Sequence, residues 1–313
     1  MKPVEWWKNF NLGTELDVSG CFIYNGLNAL DELQTIHYES DVFEILYNLS
    51  VGIERLEKIV ITLIEHDESM DQEEFEKSLI THNHLDLLSR IRKKRNLRLS
   101  TVHNKFLQIL DNFYRVMRYD RFSLMSIYDF GKEVKALLNF LVNELNIGDK
   151  NGTQPESVSN STKIKKFIGN IVGKISSELY QVVCDESDRL NIYTYEIRYG
   201  SKAFKIFTAK KFDFYKEKIL RNELLVFLCN SEQYQGFRDF LKGISPLDFD
   251  KALANDYIKA FHNKLECQEF TDELDSLYED IKHKKNRLEM IEVLGMHGVM
   301  FDYSDDEEDD IQE

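Results

Sequence analysis

Proline is nearly absent from this chain of 313 residues: three prolines and 14 glycines are all that interrupt it. Proline breaks helix interiors and glycine weakens them, so their scarcity predicts long helices and a mainly all-α fold. Cysteine is equally sparse. Cys21, Cys184, Cys229 and Cys267 lie far apart without a Cys-x-x-Cys pair, which excludes a zinc knuckle or redox dithiol and fits a reduced, cytoplasmic setting. No run approaches the ~18 apolar residues of a membrane span, and MKPVEWWKNFNLGTELD lacks the apolar core of a signal peptide. A soluble protein without a membrane partner is the expectation. Also missing are Gly-x-Gly-x-x-Gly, a P-loop, His-Glu-x-x-His and Gly-x-Ser-x-Gly, which argues against nucleotide motors, dehydrogenases, zincins and serine hydrolases; no cofactor and no metal are expected.

What is present is helical periodicity. Residues 1–40 carry Trp6, Trp7, Phe10, Phe22 and Tyr24 among small and polar residues and read as an irregular arm. From Asp41 to Glu65, Phe43, Leu46, Leu49, Ile53, Leu56, Val60 and Leu63 step by three and four, with Gly52 at a close helix contact. HDESMDQEE is a polar connection, after which Thr81 or Asn83 caps a second helix. A third runs from about Leu97 to Met117. A fourth, from about Tyr128 to Leu145, places Phe130, Val134, Leu137, Leu138, Leu141 and Leu145 on one face. These four make a bundle over residues 41–147. GDKNGTQPESVSNST, residues 148–162, reads as a linker, and 163–301 as a second, helical domain. Within that domain, helices are expected at Ile164–Cys184, Lys210–Leu228, Tyr234–Leu241, Phe249–Phe261 and Phe270–Leu294, with strand-like alternation at NIYTYEIRY, Asn191–Tyr199. Residues 302–313 carry Asp302, Asp305, Asp306, Glu307, Glu308, Asp309, Asp310 and Glu313, a density of like charge that predicts disorder.

Charge is distributed unevenly. The chain has a formal net charge of -15, yet RIRKKRNLRLSTVHNKFLQILDNFYRVMRYDR, Arg90–Arg121, holds ten basic residues against Asp111 and Asp120. Arg92, Lys93, Lys94, Arg95, Arg115, Arg118 and Arg121 are therefore candidates for neutralising the phosphates of RNA or another polyanion. The alternative is a solvated helix face balanced by acidic neighbours. The acidic tail either folds back over this island or only aids solubility.

Asp41–Leu145 resembles the HEPN superfamily of four-helix bundles. The resemblance rests on YNLSVGIERLEKIVITLI, the His-Asn-His-Leu-x-x-Leu turn at His82–Leu88, FYRVMRYDRF at the end of the third helix, and EVKALLNFLVNEL. It covers about a third of the chain. HEPN proteins are prokaryotic toxins, phage-defence factors and RNA-processing factors. Many are metal-independent ribonucleases marked by Arg, four to six residues, then His, which here falls on Arg98 and His103; others are noncatalytic and dock on partners such as nucleotidyltransferases. The resemblance also implies a homodimer through the bundle.

In the nuclease reading Arg98 steadies a phosphate and His103 moves protons, with no metal needed. Five residues advance a side chain by about 140° around a straight helix, so the pair shares a face only if the helix begins or bends between them, or if the site is composite across a dimer. In the noncatalytic reading the bundle presents an exposed apolar or charged face to a partner protein. His82 and His84, with His66 and Asp86, lack metal-ligand spacing and read as capping and turn packing. Tyr193, Tyr195, Glu196, Arg198 and Tyr199 suit either base stacking or a core.

Overall fold

A computed structural model of the protein describes residues 2–128, 131–147, 155–230, 235–262, 268–294, 296 and 299. The fold is mainly all-α, with one two-stranded antiparallel ladder among the described residues. Residues 1–216 and 217–313 form two compact units.

The first unit opens with α1 (Pro3–Trp6), a π-helical turn (Trp7–Asn11) and α2 (Leu12–Glu32). The expectation of an irregular N-terminal arm fails here. Leu12, Leu16, Ile23, Leu27 and Leu30 recur at helical spacing and are buried, so α2 is a core element. It packs along α3 (Glu39–Glu65), and glycine makes the approach close. A Cβ on Gly26 would stand 2.7 Å from Leu49 Cγ, and one on Gly52 would stand 2.6 Å from Ile23 Cγ1, so Gly52 sits at the close contact its sequence position predicts.

Next come α4 (Gln72–Ser78), inside the polar connection, and α5 (His84–Lys94), whose N-cap is Asn83: its side chain accepts the Asp86 amide at 3.1 Å. An extended stretch follows. The third expected helix starts four residues late, as α6 (Thr101–Asn112), because Ser100 caps it and Leu97 is buried from the preceding segment. A π-helical turn (Phe113–Met117) joins it to α7 (Arg118–Asp120). The fourth is α8 (Lys132–Leu145); Phe130 lies outside the described residues.

The expected domain boundary at 148–162 separates nothing that packs apart. Residues 148–154 lie outside the description, but β1 (Thr35–Ile36) pairs with β2 (Val158–Ser159), and the Asn160 side chain donates to the carbonyls of Leu30 (2.6 Å) and Leu33 (3.0 Å). The following helix, α9 (Thr162–Leu190), packs on α3 and α6, with Val172, Ile175, Leu179 and Val183 fully buried. The compact unit therefore continues to about residue 216. Asn191–Tyr199 forms turns where alternation predicted a strand, tied down by Tyr193 N to Asn9 Oδ1 (2.9 Å) and Thr194 Oγ1 to the Lys8 carbonyl. Its other backbone bonds are turn bonds or go to the end of α9, as from the Ile192 amide to the Ser187 carbonyl at 2.9 Å and from the Glu196 amide to the Tyr193 carbonyl at 3.0 Å.

α10 (Tyr215–Asn230) begins at the boundary, and the second unit continues with α11 (Gln235–Lys242), α12 (Ala254–His262), α13 (Gln268–Glu279) and α14 (Lys284–Glu292). The single long helix expected over 270–294 is broken between α13 and α14. Tyr257 and the Asp250 amide both bond Glu273, the latter at 2.7 Å, and Arg287 donates to the Ser245 carbonyl at 2.6 Å. Tyr234 and the acidic tail, 302–313, lie outside the described residues.

Candidate functional site

Half of the basic island is neutralised from within the fold. Arg90 bonds Glu65 (2.6 Å), Lys105 bonds Glu144 (2.6 Å), and Arg115 bonds the buried Asp111 (2.5 Å). Arg121 grips Glu39 (2.8 Å) and Glu133 together. Arg95, half-buried, donates through Nε to Glu186 Oε1 at 2.6 Å; Glu186 is buried on α9 and is also bonded by Arg189 at 2.7 Å. Arg95 thus fastens the end of α5 to α9. Among the candidate phosphate ligands, Arg95, Arg115 and Arg121 already hold carboxylates.

Besides Arg118 in α7, four remain: Arg92, Lys93 and Lys94 in the last turn of α5, with Arg98 in the extended segment beyond. These four at the end of α5 are exposed. Arg92 donates to Asn104 Oδ1, a neutral partner, at 2.6 Å, and no ion pair engages Lys93, Lys94 or the Arg98 side chain among the described residues. The C-terminal end of a helix favours cations there, where its unpaired carbonyls lie.

The Arg98 and His103 pair is split by the start of α6. Arg98 precedes the helix, and its amide donates to Glu178 Oε2 at 2.8 Å. His103 stands at the third helical position, where Nδ1 accepts the Ser100 amide (3.1 Å) and lies 2.7 Å from Ser100 Oγ. The imidazole here takes the place that a glutamate or glutamine usually fills in a capping box. Burial and the nearby Lys174 cation hold His103 below the usual imidazole pKa. Its cap fixes Nδ1 as the unprotonated nitrogen, so Nε2 is the atom available for chemistry. No hydrogen bond joins Arg98 to His103 among the described residues. Two clefts of about 450 and 600 Å³ beside α8 are lined by neither of them.

The densest group of titratable side chains lies elsewhere, where α3, the turn before α5, and α6 meet. His84 Nδ1 is 2.8 Å from Glu57 Oε2, and both side chains are 0% exposed. Burial pushes the Glu57 carboxyl up against the pull of His84; burial pulls His84 down, but Glu57, with Glu54 and Asp111, outweighs it and leaves the imidazole above its usual value. His82 Nδ1 is 3.1 Å from Glu54 Oε2, and Lys58 holds Glu54 Oε1 at 2.6 Å. Tyr114 packs on His82, ring centres 4.9 Å apart, and the Arg118 guanidinium lies 3.8 Å from the centre of the Tyr114 ring and 4.5 Å from that of Tyr119. Sequence spacing pointed to turn packing for His82 and His84. The missing signal was spatial: Glu54 and Glu57 lie one helical turn apart on α3, beneath both histidines. Among the described residues no group of three His, Cys, Asp or Glu side chains is arranged to hold a metal ion, and no helix is long and apolar enough to cross a membrane.

No family model matches this chain, and neither a curated protein nor a solved structure matches it.

Proposed function

We propose that the protein is an RNA-binding, HEPN-like helical protein of a prokaryotic toxin or phage-defence setting, and that Arg92, Lys93, Lys94 and Arg98 form its RNA contact. One observation carries this reading. Half of the island's cations are consumed by internal carboxylates, whereas the side chains of Arg92, Lys93, Lys94 and Arg98 stand together at one end of α5 with no ion pair among the described residues, only Arg98 lying near a carboxylate, that of Glu178. Surplus positive charge on an acidic protein attracts a polyanion to that place. If the bound RNA is also cut, His103 acts through Nε2 and Arg98 steadies the phosphate, without a metal.

The test is anisotropy of a labelled single-stranded RNA across a salt series. Four phosphate contacts give a slope of log affinity against log salt of about −3, whereas all ten island cations would give about −7. Lys93→Glu with Lys94→Glu weakens binding and flattens the slope; unchanged affinity refutes the assignment. Incubation with total RNA in EDTA, comparing wild type with His103→Ala at equal folded concentration, decides cleavage.

A second reading, a noncatalytic docking module, is favoured by the segment after α7. Phe122 (88% exposed), Leu124, Met125, Ile127 and Tyr128 all face solvent. The occupant in this reading is a partner protein such as a nucleotidyltransferase of a defence system, and Leu124→Asp with Ile127→Asp abolishes its binding in calorimetric titration if this holds.

A further inference from the structure

The ionic cluster under the turn before α5 has a charge account that does not close. Glu57 faces His84, Asp111 faces Arg115, and Glu54 faces both Lys58 and His82. Every carboxylate of the cluster has its own cation. Arg118 is left over: no carboxylate engages it among the described residues, and its Nε–H is buried without an acceptor. Its guanidinium lies against the rings of Tyr114 and Tyr119 and bonds the Tyr114 side chain, which fixes the fork and leaves Nε–H unsatisfied.

His82 completes the site. Glu54 lies behind its Nδ1, and the side chain is 51% exposed, so Nε2 is the nitrogen left for a ligand. The same Tyr114 ring touches both His82 and Arg118. Burial and Glu54 keep the Tyr114 phenol above its usual pKa, against the pull of Arg118, so it stays a proton-bearing donor. Three side chains joined through the Tyr114 ring, with an Arg118 charge that no carboxylate balances, suit a tetrahedral oxyanion, to which His82 donates through Nε2 when protonated.

We propose that His82, Tyr114 and Arg118 form a binding site for a single phosphate group, separate from the Arg92–Arg98 surface at the other end of α5. The buried Glu54, held by Lys58, orients His82, and the π-helical turn leads from Tyr114 to Arg118. The phosphate comes either from a free nucleotide or from an RNA strand.

The experiment follows the His82 imidazole of the full chain by proton–nitrogen correlation NMR during titration with inorganic phosphate, 5′-AMP and a 5′-hydroxyl oligoribonucleotide. Saturable shifts with phosphate, lost or weakened about tenfold or more in Arg118→Gln, are the expected result. Tighter binding of 5′-AMP assigns the site to a terminal phosphate, and tighter binding of the oligonucleotide to a strand phosphate. The Lys93→Glu, Lys94→Glu variant keeps the phosphate response, so failure of the RNA surface and failure of this site are told apart. No His82 response to any of the three ligands, or an unchanged response in Arg118→Gln, overturns the proposal. Should Arg118→Gln not fold, Tyr114→Phe with calorimetric titration of phosphate serves as the second variant, and undiminished affinity there overturns it as well.

Discussion

Removing His84 tests the buried pair at the centre of the bundle. His84 and Glu57 are fully buried, bonded to each other at 2.8 Å, and each has its second polar atom, His84 Nε2 and Glu57 Oε1, without a partner. His84→Leu strips Glu57 of its one bond and leaves a carboxyl in the core, at a cost of about 3–5 kcal/mol. Glu57→Met costs less, about 1–3 kcal/mol, because an abandoned imidazole can release its proton and become neutral. The double variant removes both desolvation penalties and returns to within about 1 kcal/mol of wild type. Urea titration followed by tryptophan fluorescence is the assay, since both tryptophans, Trp6 and Trp7, lie in the first unit and report it alone. The pH dependence has a fixed sign. Both pKa values are raised, so the folded state holds protons the unfolded chain releases, and wild-type stability falls as pH rises from about the ordinary glutamate value through the raised His84 value. A loss under about 1 kcal/mol in His84→Leu, or a double variant as unstable as the two singles combined, refutes the reasoning.

Helix contact and capping give two further predictions. Gly52→Ala places a Cβ 2.6 Å from Ile23 Cγ1 and 2.9 Å from its amide nitrogen, so overpacking of about 1–3 kcal/mol exceeds the gain in helix propensity, whereas Gly13→Ala, with a nearest contact at 3.7 Å, is stabilising by up to about 1 kcal/mol; the same urea titration ranks them. Ser100→Ala removes the cap of α6 and costs about 1 kcal/mol, and His103→Ala costs a similar amount by deleting the other half of the box, which circular dichroism melting in the absence of RNA measures.

Amphipathic stripes made much of the bundle legible in advance. Leu46 through Leu63 marked α3, Asn83 the start of α5, and Gly52 the contact with a neighbour, because each depends on residues a few positions apart. α2 was hidden among small and polar residues, and the close packing that requires Gly20 and Gly26 is seen only in the fold. The charge island was legible only as a sum. Its partners lie far off in the chain, Arg90 with Glu65 and Arg95 with Glu186, and no local count of charges reveals which cations are already taken. The same distance concealed the carboxylates beneath His82 and His84. The strand expected at Asn191–Tyr199 failed because its residues form turns bonded to α9 and to the N-terminal segment.

The π-helical turn at Phe113–Met117 has the geometry of a one-residue insertion in an α-helix. An extra residue rotates everything beyond it by about 100° relative to an uninterrupted helix. A version of this chain shortened by one residue there would form a more regular helix and still lose its geometry, since Arg118 and all that follows would rotate relative to His82 and Glu54. Any homologue that preserves the cluster is therefore expected to preserve the length of this turn more strictly than its side chains, and an alignment gap at this point would mark the branch where the cluster was gained or abandoned.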